Sequence, residues 1–173
     1  MKHVIIDTNV PVKATNTHPE DETDRKCSYA CYQYIDRLLR SKDKIVLDMG
    51  WEILKEYQKN IRFGYGDNVA TIFLKMILRE INLQNGRVEQ YKITKDRKNS
   101  YKEYPKTQKL KRFDPSDRKF VALSRAHPSH PPIVNGSDTD WWIYKEVLNS
   151  EGIEIVFLCE EYMNAKCKSK IKI

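Results

Sequence analysis

Acidic residues stand at four separated places in this chain, three of them where an expected strand ends or an expected helix begins and one within an expected helix. Asp7 ends the run "VIID"; Glu52 and Glu56 lie in "WEILKEY"; Asp117 lies in "DPSDRKF"; Asp138 and Asp140 lie in "NGSDTDWW". Carboxylates that converge without cations repel one another, and some are forced to hold their protons. A bound divalent ion removes that conflict. An all-oxygen donor set suits Mg²⁺ or Mn²⁺, whereas zinc more often recruits histidine and cysteine. Two such ions about 3.5–4 Å apart can activate water for in-line attack on a phosphodiester. The chemistry therefore depends on whether these acids meet.

The elements that must position them alternate. "HVII" is a short β-branched run that predicts a buried strand from His3 to Ile6, and apolar residues at Cys27, Cys31, Tyr34, Ile35, Leu38 and Leu39 predict a helix over 20–40 after a loop. "KIVLD" predicts a second strand, followed by helices across "WEILKEYQKNI" and "NVATIFLKMILREINL", separated at Gly64 and Gly66. "RVEQYKI" reads as a strand, "PSDRKFVALSRA" as a helix, "PPIVNG" as a strand, "DWWIYKEVLNS" as a helix and "GIEIVFL" as the last strand. The segment 94–112, with Lys95, Arg97, Lys98, Lys102, Lys106, Lys109, Lys111 and Arg112 among Tyr101 and Tyr104, reads as a basic loop.

Strands alternating with helices imply parallel pairing through crossover helices, hence a three-layer α/β/α domain. Ligands of such sheets bind at the carboxyl ends of the strands. Asp7, Asp138 and Asp140 share that edge, and Asp117 can reach it from the start of its helix. Glu52 and Glu56 lie one turn apart on one helix face, so either can lean towards the cluster.

Length and charge bound the reading. At 173 residues the chain is one ordinary domain, with a net charge of +7 and a pI near 9.1 that favour a polyanionic partner. No apolar run approaches the roughly 20 residues needed to span a bilayer, and the start lacks the pattern of a secretory signal, so a cytoplasmic location with no membrane partner is expected. Cys27, Cys31, Cys159 and Cys167 follow no CxxC spacing, which in that compartment predicts reduced thiols. His127 and His130, in a proline-rich connection, read as turn residues, and Trp141 and Trp142 as packing residues.

Together, "VIIDTNV", "IVLDMGWEILKEY", "DPSDRKFVALS" and "IVNGSDTDWW" resemble, in order and spacing, the motifs of the PIN-domain nucleases, and the resemblance covers almost the whole chain. It implies a central, mainly parallel sheet of about five strands and a metal-dependent endonuclease that usually acts on RNA. On the matching positions, the family's acids fall on Asp7, Glu56, Asp117 and Asp138, with Asp140 as an adjunct and Asn9 supporting the first aspartate. The resemblance favours Glu56 over Glu52. It implies a PIN-like nuclease domain over 1–159, leaving 160–173 as a short C-terminal helix and basic tail.

The expected activity is hydrolysis of single-stranded RNA with Mg²⁺ or Mn²⁺ at these acids, and with Lys109, Lys111, Arg112 and Arg118 holding the strand. Competing readings are a catalytically inactive RNA-binding or assembly module, and a structure-specific DNA nuclease. A haloacid-dehalogenase-type phosphatase normally has a second acid where this chain has Asn9. A homodimer and a cognate inhibitor protein are left open by the sequence.

Overall fold

The computed structural model describes residues 1–62, 67–97 and 100–171. Its order is β1 (His3–Ile6), α1 (Asn9–Lys13), α2 (Glu22–Arg40), β2 (Lys44–Asp48), α3 (Glu52–Asn60), α4 (Val69–Glu80), β3 (Val88–Tyr91), β4 (Lys95–Arg97), β5 (Ser100–Tyr101), a 3-10 turn (Gln108–Leu110), α5 (Arg118–Ala126), β6 (Ile133–Asn135), α6 (Thr139–Ser150), β7 (Ile155–Phe157) and α7 (Glu160–Ile171). The break expected at Gly64 and Gly66, the basic residue Lys98 and the last two tail residues lie outside the described residues.

Five strands pair in the order β3-β2-β1-β6-β7, every pair parallel. The expected three-layer α/β architecture is present. β1 is the centre because its Val4, Ile5 and Ile6 are buried, as a strand covered on both faces must be. The chain leaves β1 to one side for β2 and later returns to its other side as β6. That reversal opens a crevice at the carboxyl ends of β1 and β6, with Asp7 directly after one strand and Asp138 shortly after the other.

Helices close both sides. α2 starts at Asp21, whose carboxylate accepts the Asp24 amide at 2.8 Å, and it buries Cys27, Cys31, Ile35 and Leu38 on one face. α4 opens with a capping box between Asn68 and Thr71. α3 lies against β2 and α5, and its Tyr57 hydroxyl donates to the Ile6 carbonyl, tying the helix to the end of β1.

Three expectations change. The stretch after β1 contains the short helix α1, because Pro11 sits in its first turn, where a missing N–H costs no internal bond. The basic segment holds a small antiparallel hairpin, β4 with β5, that packs against α5. The thiols expected to be reduced are partly bonded: Cys27 and Cys159 form a disulfide, with the buried Cys31 sulfur 3.8 Å from that of Cys159. One helical turn puts Cys27 and Cys31 on the buried face of α2, and β7 delivers Cys159 to the same place. The C-terminal segment is helical through Ile171 and buries Met163. Among the described residues no helix is long and apolar enough to cross a membrane.

Candidate active site

Oxygens of Asp7, Asp117 and Asp138 all lie within 4.8 Å of one another. Three elements deliver them: the end of β1, the start of α5 and the loop from β6 into α6. Local chemistry explains each placement. The Asp7 carboxylate accepts the backbone N–H of Asn9 at 3.0 Å and lies 3.5 Å from the Asn135 amide nitrogen. The Asn9 side chain reaches across the crevice and accepts the amides of Gly136 at 2.7 Å and Ser137 at 3.1 Å. The Asn9 side chain thus clamps the β6 loop to the β1 turn, and it is the backbone N–H of Asn9, not its side chain, that bonds Asp7.

Gly136 is required by that clamp. A Cβ there would sit 2.8 Å from the Cys31 sulfur and 2.9 Å from the Asn9 side-chain oxygen. Beyond it, Asp138 caps α6 by accepting the amide of Asp140 at 2.9 Å. Asp140 therefore serves the cluster through its backbone, and the three converging carboxylates do not include its own.

Asp117 occupies the N-cap position of α5 yet makes no side-chain cap hydrogen bond. Asp114 orders the preceding turn instead, accepting both the amide and the hydroxyl of Ser116 at 2.8 Å. This leaves the Asp117 carboxylate facing inward, where its Oδ2 is buried without a hydrogen-bond partner among the described residues. Asn135 Oδ1 and Asn9 Nδ2 are likewise buried and unpartnered. Native proteins rarely leave such atoms unsatisfied, and a bound ion with its waters is one standard reason.

The electrostatics follow from burial. Asp7 and Asp117 are only 4% and 7% exposed. Burial, then the charges of Asp138 and Glu56, pushes the Asp7 carboxyl up to about 7 against the opposing Asn9 hydrogen bond and Lys119 charge. Burial, followed by the charges of Asp7, Asp138 and Asp114, raises Asp117 to about 9. Without a cation, the cluster holds protons at neutral pH.

Glu56 stands beside this trio, not inside it. Its carboxylate pairs with the ammonium of Lys119, which is itself 5% exposed and also donates to the Ser116 carbonyl. Lys119 is the site residue that motif reasoning missed. A signal was present: a lysine in the first turn of a helix opposes the macrodipole and needs a compensating acid. Asn135, fully buried beside Asp7, was also missed. The other candidate on α3 is engaged elsewhere. Glu52 pairs with Lys95 at 3.2 Å, and Asp48 caps α3 by accepting the amides of Glu52 and Ile53, both at 2.9 Å. Trp51 makes that cap possible by turning the chain through left-handed backbone, φ 64°.

Of the residues expected to hold substrate, Lys109, Lys111 and Arg112 are exposed. Arg118 is not free: it donates to the carbonyls of Lys111 at 2.9 Å and Phe113 at 3.2 Å, and its guanidinium lies 5.2 Å from the Tyr104 ring centroid. His127, read as a turn residue, is buried and bonds Glu89 at 3.1 Å. The Ser129 amide donates to its Nδ1, so in the neutral ring Nε2 carries the proton given to Glu89.

An oxygen-only trio with buried unsatisfied acceptors fits a hard divalent cation such as Mg²⁺ or Mn²⁺. No protein-family model, curated protein or solved structure matches this chain.

Proposed function

We propose that the protein is a metal-dependent endoribonuclease of the PIN type, cutting single-stranded RNA at the crevice between β1 and β6. The observation that carries this reading is the convergence of Asp7, Asp117 and Asp138 at the point where the strand order reverses, with the Asp117 Oδ2 buried and unpartnered. Those three carboxylates would hold Mg²⁺ or Mn²⁺. Such an ion, when bound, supplies positive charge at a scissile phosphate and makes a water nucleophilic at neutral pH.

The chain's own residues do the rest. Asn9 and Asn135 fix the rotamer of Asp7, so its oxygens stay aimed at the crevice. Asp138 keeps one oxygen on the α6 amide. Lys119 partly neutralises the acids from the protein side and restrains Glu56, which lies close enough for its charge to raise Asp7. Asp7 and Asp117 are almost fully buried, and charges act more strongly on one another away from solvent.

The ion pair of Glu56 with Lys119 favours a second reading, in which the crevice is a non-catalytic RNA-binding site. The experiment is a cleavage assay on end-labelled single-stranded RNA and DNA of one sequence, with Mn²⁺, with Mg²⁺ and with EDTA. The nuclease reading expects metal-dependent internal cleavage of the RNA. Intact RNA under all conditions, with binding retained, would establish the second reading; preferential cutting of DNA would overturn the substrate.

A further inference from the structure

Between β4 and the start of α5, the basic segment forms a groove of about 440 Å³ lined by Lys102, Lys106 and Lys111 together with Tyr104 and Arg118. We propose that this groove, and not the neighbouring face bearing Lys109 and Arg112, holds the backbone of single-stranded RNA as it enters the site. The inference rests on the nuclease reading for the identity of its ligand.

Charge carries the first step. Lys102, Lys106 and Lys111 are exposed, and none is paired with an acid among the described residues. Asp96 is the acid that lines the same groove, and it faces three lysines and an arginine there. Unpaired cations around a concavity attract a polyanion, and each phosphate they neutralise releases counterions. Lys109 and Arg112 are equally basic but lie outside the groove lining.

Rigidity is the second. Arg118 ties the groove floor to the carbonyls of Lys111 and Phe113 and stacks on Tyr104, whose hydroxyl donates to the Leu110 carbonyl at 3.1 Å. The Lys102 amide donates to the Thr94 carbonyl at 2.9 Å, which fixes the backbone at Lys102. A floor held this way loses little conformational freedom when a strand docks.

Continuity with the chemistry is the third. Arg118 directly follows Asp117 in the chain. The hairpin that bears Tyr101 is pinned to α3 by Lys95 and Glu52, and Tyr101 is close enough to Glu52, Asp48 and Glu56 for their charges to reinforce the rise that burial gives its phenol. The groove thus shares Arg118 with the turn that positions Asp117 and shares Tyr101 with the surroundings of α3.

The test uses the full chain in EDTA and a fluorescein-labelled single-stranded 12-nucleotide RNA, with affinity measured by anisotropy across a salt series. Log affinity should fall linearly with log salt, and replacing Lys102, Lys106 and Lys111 together with Ala should flatten that slope by about 2, from roughly 0.7 per phosphate on a single strand. Each single Lys→Ala change should flatten it by about a third of that, which keeps the proposal testable should the triple variant fold poorly. The paired control Lys109→Ala/Arg112→Ala should leave the slope nearly unchanged. An unchanged slope in the groove variants, or an equal loss in the control pair, would overturn the proposal. Failure here with metal-dependent RNA cleavage intact removes the groove alone; a flattened slope without cleavage by any form removes the nuclease reading alone.

Discussion

Replacing Asp117 with Asn should stabilise the metal-free protein above neutral pH, although it removes a residue from the proposed site. In the unfolded chain this carboxyl titrates near the usual 3.8, whereas in the folded chain burial and its acidic neighbours raise it to about 9. Between those values the folded protein holds a proton that the unfolded chain has released. The contribution of this group to stability is therefore greatest at low pH and is lost as pH rises towards the folded value, at up to about 1.4 kcal/mol per pH unit. Asn keeps the shape of the protonated carboxyl and removes the titration. From pH 5.5 to 8, urea unfolding of the wild type in EDTA should show a falling free energy, and Asp117→Asn should cut the slope by most of one proton. At pH 8 the variant should be the more stable by about 1–3 kcal/mol. A variant less stable than wild type at pH 8, or with an identical pH slope, would refute the picture of a buried, proton-holding cluster.

Other perturbations probe the surroundings of the cluster. Lys119→Met should cost about 1–3 kcal/mol in EDTA, less than a fully buried pair because Glu56 stays partly exposed, and added Mn²⁺ should recover part of the loss; a melting temperature equal to wild type would show the pair to be idle. Gly136→Ala should destabilise by about 1–3 kcal/mol through overpacking against Cys31 and Asn9, with hydrogen exchange at the β6 loop as the readout and unchanged protection as the contrary result. Reduction of the bond between Cys27 and Cys159 opens a loop spanning 132 residues, so dithiothreitol should lower stability by about 2–4 kcal/mol; coincident urea curves with and without reductant would contradict a structural role.

The strands and their parallel order were legible because β1 and β2 are near-continuous β-branched runs, the pattern of strands buried on both faces. The acids at the carboxyl edge were legible for the same reason, since topology alone brings the residues after β1 and β6 together. What the sequence hid lies where local pattern and three-dimensional placement part company. β4 is exposed along its whole length, so it carries no alternation to betray a strand. Asp117 reads equally well as a first-turn acid favoured by the helix dipole, and only the geometry shows Asp114 ordering that turn while Asp117 faces inward. Lys119 sits between Arg118 and Phe120 in a stretch whose charge suggests solvent, and its burial depends on Glu56, distant in sequence and brought close by α3 packing on α5. The disulfide joins residues from opposite ends of the chain, a pairing that spacing cannot report.

The central claim is that Asp7, Asp117 and Asp138 bind a divalent cation that RNA cleavage requires. Its most direct measurement is Mn²⁺ binding, followed by electron paramagnetic resonance, to wild type and Asp7→Asn, with the same preparations assayed on single-stranded RNA. The account predicts that wild type binds Mn²⁺ and cuts RNA, and that Asp7→Asn, folded and at least as stable in EDTA, loses both together. Wild-type Mn²⁺ affinity and cleavage retained by the Asp7→Asn protein would contradict it.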